Sequence, residues 1–309
     1  MIELSPDFKM DGRGTAAALG IFDGVHRGHR AVIDKAAEEA EKNGLAPAVC
    51  TFKTGTINTK GSGYRPIYSD ETKLVLLEKE GAEYVFIPDF ADVRDMSPED
   101  FAEKILCGVL GARIVVCGRD FRFGKNAACS SEGLKEICAR LGMRLCVVGD
   151  VTEKGKRICS ADIRKYISEG DIRSANLLLG HNYAITGRVI HGNRFGRQMN
   201  FPTANQRMSE ENVMPRFGVY ASYAELDGKV YKGITNIGVK PTVESSGIPL
   251  AETHFPGFSG DLYGREIVVR LYDFIRPEMR FNNTDELRAQ INSDVKRVMS
   301  ASEAPLPLI

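Results

Sequence analysis

Along the first half of the chain, short apolar runs alternate with segments whose apolar residues recur every three or four positions. Residues 15–22, 46–52, 84–87, 114–118 and 145–149 are apolar enough for buried strands. Between them, Val32, Ile33, Ala36, Ala37 and Ala40 keep helical spacing up to Gly44. Leu74, Leu76 and Leu77 do so behind Ser69-Asp70-Glu71, and residues 134–141 do so again. Ser97-Pro98-Glu99-Asp100 is a further helix start, because Ser can cap and Pro suits the first helical position. Apolar strands separated by helices predict a doubly wound parallel α/β sheet, and in such sheets ligands bind beyond the carboxyl ends of the strands.

After residue 160 the pattern changes. Residues 163–180 read as two short helices broken at Glu169-Gly170-Asp171 and stopped at Gly180. Strands are then expected over 183–191, 219–226, 230–236 and 266–275, with Asp227-Gly228 as a two-residue hairpin turn. A mostly antiparallel set of this kind is most simply buried as a β-barrel, which also hides its edges. A closing helix follows, with Thr284 as expected N-cap, Asp285 and Glu286 in the first turn, and an apolar stripe of Leu287, Ile291, Val295 and Val298. Residues beyond about Ala301 read as a loose tail. The expected organisation is a first domain over 1–160, a helical bridge over 161–180 and a barrel domain with a C-terminal helix over 181–309.

Composition narrows the function classes. The 309 residues include 41 Lys plus Arg and 41 Asp plus Glu, so the formal net charge is zero. Neither half is basic, with 26 basic and 27 acidic side chains through Gly180 and 15 and 14 after it. A partner held by bulk electrostatics, nucleic acid above all, gains no support. The seven cysteines are odd in number, lie before residue 160 and lack metal spacing, which argues against a disulfide framework and for a reducing, cytoplasmic setting. No basic region followed by an apolar one opens the chain, and no apolar run reaches the length of a membrane span. Nothing in the pattern sets the oligomeric state.

The richest stretch is Gly20-Ile21-Phe22-Asp23-Gly24-Val25-His26-Arg27-Gly28-His29, where the first strand turns into the first helix. A helix N-terminus offers unpaired backbone N–H groups and the positive end of a dipole, and Gly24 and Gly28 permit close approach, so this turn is a candidate phosphate site. His26 and His29, three residues apart, can donate to oxygens that gain negative charge during transfer at phosphorus. Zinc would need more ligands than five histidines without a C-x-x-C pair supply. Read locally, Gly118-Arg119-Asp120-Phe121-Arg122-Phe123-Gly124-Lys125 is either a stacking and cationic loop for a nucleotide or a solvated loop with its rings in the core. Ser160 is a plausible helix cap with Arg164 one turn along. In residues 192–205, glycines beside a strand end suit phosphate, and the Thr203 hydroxyl with the Asn205 amide oxygen offers hard ligands for magnesium; a glycine-rich loop with an Asn turn is the alternative. Glu252 read alone is an exposed strand carboxylate.

Gly-x-Phe-Asp-Gly-Val-His-x-Gly-His resembles, over its whole length, the signature of the bacterial bifunctional riboflavin kinase and FMN adenylyltransferase family, the FAD synthetases. Pro202-Thr203-Ala204-Asn205 after Gly196-Arg197 resembles that family's kinase signature, and Ala251-Glu252-Thr253-His254 its Glu-x-His segment, so the resemblance covers about residues 15–299. It implies a nucleotidylyltransferase-like domain followed by a kinase barrel. Riboflavin would be phosphorylated by ATP to FMN in the barrel, and FMN adenylylated by a second ATP to FAD in the first domain. For adenylylation it implies ATP and flavin contacts from Phe22, Gly24, His26, His29, Asp120, Phe121, Phe123, Ser160 and Arg164. For the kinase it implies contacts from Gly192, Gly196, Arg197, Thr203, Asn205, Asn236, Gly238 and Arg276, Mg²⁺ on Thr203 and Asn205, and Glu252 as base. The implied partners are small-molecule flavins and ATP, with no nucleic acid and no membrane.

The chain departs from the family at Lys53-Thr54-Gly55-Thr56, where an Asp-Pro-His-Pro-like run is usual, and at Cys159-Ser160-Ala161, where three hydroxyls are usual. Asn126, Cys129 and Asn200 stand where glycine is common. Adenylyl transfer is therefore expected to be the slower reaction. The alternatives are a kinase with weak or lost adenylyltransferase activity, a nucleotidylyltransferase for another small phosphate, and a flavin-binding regulator without useful turnover.

Overall fold

The computed structural model describes residues 1–5, 12–57, 64–192, 201–239 and 247–301. The chain forms two compact units, Met1–Ser160 and Ala161–Leu308. In the first, strands β1 (Ile2–Glu3), β2 (Thr15–Leu19), β3 (Ala46–Cys50), β4 (Tyr84–Phe86), β5 (Ala112–Gly118) and β8 (Arg144–Val148) make one parallel sheet in the order β1-β4-β3-β2-β5-β8. The small hairpins β6 (Arg122–Phe123) with β7 (Cys129–Ser130) and β9 (Thr152–Glu153) with β10 (Lys156–Arg157) lie beside it in sequence. Because strand side chains alternate in direction, each central strand feeds two cores. Ala17, Leu19, Ala48, Cys50, Val115 and Cys117 join one, and Ala16, Ala18, Val49, Ile114 and Val116 join the other.

Helix α1 (Arg27–Asn43) buries Val32, Ile33, Ala36 and Ala40 and ends at Gly44, whose φ of +65° lets its N–H reach the carbonyls of Ala40 and Glu41. Helix α2 (Asp70–Lys79) is capped by Ser69, whose side chain accepts from the Thr72 N–H. After the short turn α3 (Phe90–Val93), the helix expected at Ser97 runs as α4 (Pro98–Asp100) and continues as a π-helix over Phe101–Val109. Its wider turns bury Phe101, Ala102, Ile105, Leu106 and Val109. Helix α5 (Ser131–Arg140) precedes β8.

The second unit opens with α6 (Ser160–Glu169) and α7 (Ile172–Leu179), then β11 (Tyr183–Ile190), β12 (Thr203–Arg207), β13 (Gly218–Leu226), β14 (Lys229–Val239), β15 (Pro249–His254) and β16 (Glu266–Arg276). These strands close a barrel in the order β11-β12-β15-β14-β13-β16, antiparallel throughout, and helix α8 (Thr284–Ser300) packs on β14. Val219, Ala221 and Ile234 meet Val298 of α8, so these residues mark the outer face of the barrel. The alternate residues Tyr220, Ser222, Thr235, Thr253 and Gln206 point inward and are fully buried. Several of their polar groups meet one another or the backbone: the Thr235 hydroxyl bonds those of Ser222 and Thr253 at 2.8 Å each, and Gln206 Nε2 donates to the Gly187 and Ile267 carbonyls at 2.9 Å, while Gln206 Oε1 has no partner among the described residues. Helix α7 is fixed to the barrel by Asn176, which donates to Leu271 O at 2.9 Å and Asn182 Oδ1 at 2.8 Å and accepts from Tyr183 N at 2.7 Å.

Three local expectations differ from this. Ser160, read as a helix cap, is the first residue of α6 itself, and its hydroxyl donates to Asp23 O instead. The Asn turn weighed at Asn205 is strand β12; its inward residue Gln206 is polar, which hid the period of two. The cap of α8 is Asn283 rather than Thr284, and its Oδ1 accepts from Glu286 N at 2.8 Å.

Candidate active sites

In the first unit, the strand order reverses between β2 and β5, both of which lead into loops named by the sequence reading. The turn after β2 is tight. Phe22 (φ +52°), Gly24 (φ +81°) and Val25 (φ +44°) all lie in the left-handed region. Two of these are not glycine, and their strain is held by burial, since Phe22 and Val25 are each 1% exposed. Asp23 is buried in the same turn, its carboxylate accepting from Ile67 N at 2.8 Å and from the Tyr64 hydroxyl at 3.2 Å. The turn is thereby tied to the chain that leads into α2.

His26 is the N-cap of α1, and its Nδ1 accepts from the backbone N–H of His29 at 3.2 Å. An accepting Nδ1 places the proton of the neutral ring on Nε2. The His29 ring stacks on that of His26, with centroids 3.5 Å apart and 14° between planes, and meets the Phe22 ring edge-on at 5.4 Å. Gly28 makes this possible. A Cβ there would lie 3.1 Å from Cε1 and 3.2 Å from Nδ1 of His26, so the glycine makes room for that ring.

Ser160 joins this turn directly, its hydroxyl donating to Asp23 O at 3.0 Å, and Arg164 lies one turn further along α6. In the loop after β5, Asp120 pairs with Arg157 of β10, and Arg157 reaches Asp150 at 3.5 Å. Phe123 is buried in the core, with Phe101 at 5.5 Å, and half-buried Phe121 stacks on it at 5.7 Å. Asn126 takes φ +57°, the conformation for which glycine is the usual residue.

The divergent loop after β3 is held by groups that sequence reading passed over. Its turn Thr54–Thr56 hangs on Asp70, which accepts from Thr54 N at 3.1 Å and from the Thr54 hydroxyl at 3.1 Å. Buried Lys73 donates to Phe52 O at 2.6 Å and pairs with Asp70 at 2.8 Å. Burial pushes the Lys73 ammonium below its usual range, against the opposing pull of Asp70 and Asp23. A lysine and an aspartate three apart at the head of a helix were the available signal.

In the second unit the register sets two rows across three strands. Asn205 of β12 pairs with Glu252 of β15, which pairs with Asn236 of β14. Thr203 pairs with His254, which pairs with Ile234. Because Ile234 faces outward toward α8, both rows lie on the outer face of the barrel, so Thr203, Asn205, Glu252 and Asn236 share one surface. Asn205 is 4% exposed; its Nδ2 donates to Thr203 O at 3.2 Å, and its Oδ1 is buried without a hydrogen-bond partner among the described residues. Gly192 abuts it, since a Cβ there would fall 2.8 Å from Asn205 Nδ2. Gly238 is covered by the Glu278 carboxylate, which a Cβ would strike. Gly196 and Arg197 lie outside the described residues.

Arg276, at the end of β16, donates to Asp294 of α8 through Nε at 3.0 Å and Nη2 at 2.8 Å, and to Pro277 O at 3.1 Å. Asp294 also accepts from Gln290 at 2.9 Å. Sequence reading missed Asp294, although a carboxylate between Ile291 and Val298 on an apolar stripe was a visible anomaly. Among the described residues no group of three or more His, Cys, Asp or Glu could hold a metal ion, and no helix is long and apolar enough to cross a membrane.

Two family models match the chain, one described as FAD synthetase over residues 8–162 and one as riboflavin kinase over residues 179–302. The chain is 37% identical over 284 residues to the bifunctional riboflavin kinase/FMN adenylyltransferase of Bacillus subtilis, covering 90% of this chain and 89% of that one. It is 36% identical to the protein of the same description from Escherichia coli K12, over 91% of this chain and 90% of that one. It is 33% identical to the one from Pseudomonas fluorescens, over 94% and 95%. A crystal structure from Streptococcus pneumoniae described as a macrolide-efflux protein superimposes with a TM-score of 0.86 at 26% identity, covering 98% of this chain and all of that one.

Proposed function

The chain belongs to the family of bifunctional riboflavin kinase/FMN adenylyltransferases, and from that membership we infer that it turns riboflavin into FMN and FMN into FAD, each step consuming one ATP. The observation that carries the reading is that a separate family model falls on each compact unit, FAD synthetase on the parallel sheet and riboflavin kinase on the barrel. We assign adenylylation to residues 1–160 and phosphorylation to residues 181–309, with 161–180 clustering with the barrel.

In the kinase, the row Asn205–Glu252–Asn236 supports Glu252 as the group that accepts the proton of the flavin's primary hydroxyl while the γ-phosphoryl of ATP is transferred and ADP leaves. Asn205 and Asn236 flank that carboxylate and keep it on the outer face. The donor set fits magnesium: the Asn205 Oδ1 is buried with no partner among the described residues, and the Thr203 hydroxyl lies on the same face. Thr203 and Asn205 would hold the ion, which would supply positive charge to offset that of the ATP phosphates during transfer. Gly192, Gly196, Arg197, Gly238 and Arg276 are assigned to ATP and flavin.

In adenylylation, a phosphate oxygen of FMN attacks the α-phosphorus of ATP and pyrophosphate leaves. His26 is assigned to donate through Nε2–H to oxygens that gain charge, with the stacked His29 ring beside it. Phe22 and Gly24 shape the turn, Ser160 and Arg164 are assigned to the triphosphate, and Asp120 and Phe121 to the loop facing nucleotide and flavin, which Phe123 anchors in the core. The test is incubation of the pure protein with riboflavin and Mg-ATP, followed by separation of the flavins. FMN and then FAD are expected; formation of neither would overturn the reading.

A further inference from the structure

We propose that His254 is a positioning residue of the kinase site, holding the Pro202–Thr203 peptide so that Thr203 faces Mg-ATP; this rests on the kinase reading above. The ladder between β12 and β15 begins at the pair Thr203–His254. The carbonyl just before it, that of Pro202, therefore lies one step beyond the last strand rung. The His254 side chain supplies that missing partner, its Nδ1 lying 2.9 Å from Pro202 O. A carbonyl only accepts, so Nδ1 carries the proton. The Phe201 ring meets the imidazole edge-on at 5.4 Å, so the ring is gripped from the same segment whose carbonyl it binds.

The consequence falls on Thr203. Its backbone follows the Pro202 carbonyl directly, and its carbonyl and hydroxyl also receive the Asn205 amide at 3.2 and 3.4 Å. Releasing Pro202 frees the peptide that sets the direction of the Thr203 side chain, while Glu252, two residues back on β15, keeps its own pairs to Asn205 and Asn236. His254 thus acts on ATP placement and not on proton removal.

The full chain and its His254→Ala, His254→Asn and His254→Gln variants are compared. The Asn amide N–H can stand near the position of Nδ1–H, whereas that of Gln reaches toward Nε2. Ala and Gln are expected to raise the KM for Mg-ATP in FMN formation about tenfold while kcat stays within about threefold, and Asn to stay close to the parent in both. In hydrogen exchange, the amides of residues 203–207 should open faster in Ala and Gln and not in Asn. Equal behaviour of Asn and Gln, or a fall in kcat at unchanged KM, would overturn the proposal. If the parent chain makes no FMN, the kinase reading fails, and the exchange comparison of Asn with Gln still decides whether His254 holds the strand start. If Ala does not fold, that same pair decides.

Discussion

Gly28 owes its place to the neighbour it accommodates, and that gives a test of the histidine turn. In Gly28→Ala the new methyl crowds the His26 ring, which must shift by a few tenths of an ångström. FAD formation from added FMN should fall about tenfold, since small misplacements of a reacting group are costly, while FMN formation is unchanged. Flavin separation after each half-reaction reads both. In the barrel, Glu252→Gln keeps shape and removes the proton acceptor, so kinase turnover should drop by about 10²-fold or more, measured as initial FMN formation at saturating substrates. The string around His26 and the Thr203–Asn205 run could be read directly, because both are local arrangements of turn, glycine and polar group. What could not be read is which glycine serves which neighbour. That depends on side chains folding back over the backbone, as the His26 ring does over Gly28.

Helix α8 is joined to the barrel through one buried ion pair and an apolar stripe. Lys232 of β14 adds bonds to its last carbonyls, reaching Ala301 O at 2.7 Å and Val298 O at 3.4 Å. Asp294→Asn leaves the Arg276 guanidinium without its counter-charge at a site where Asp294 is 5% and Arg276 16% exposed. Such a break should cost about 3 kcal/mol, read as a lowered denaturation midpoint of the barrel unit, with the parallel-sheet unit unaffected. The helix itself was legible from its stripe, and so were the long barrel strands, from their apolar, β-branched and aromatic residues and the Asp227-Gly228 turn between two of them. Strand β12 was not, because the amide N–H groups of its core-facing Gln206 are met by carbonyls of two other strands that only the closed barrel brings near. The π-helix over Phe101–Val109 was also invisible, since its five buried apolar positions read equally well as an ordinary helix.

Over the whole molecule, the seven cysteines all fall in the parallel-sheet unit, and this separates the two units by pH. Burial pushes the Cys50 and Cys117 thiols up to about 12 and Cys138 up to about 11, from an ordinary value of 9.0. Above pH 9 the unfolded chain sheds these protons while the folded unit keeps them, so stability present below that pH falls as pH rises toward the folded values. In the cysteine-free barrel, buried Tyr183 and Tyr220 act in the same direction but from an ordinary value of 10.0. Calorimetry between pH 7 and 10.5 should therefore show the first unit's transition falling earlier than the second's, and Cys50→Ala should shallow that decline. Coincident decline of both would refute it. The closed barrel has a further consequence, in time rather than in energy. Its hoop is sealed where β11 meets β16, with Tyr183 opposite Leu271, so the first strand made waits for the last. On the ribosome, the parallel sheet has all its strands once Val148 has emerged, long before β16 exists. A half-made chain therefore carries one finished fold and one open ribbon with unpaired borders, and its need for chaperone protection is concentrated in the interval between the synthesis of Tyr183 and that of Arg276.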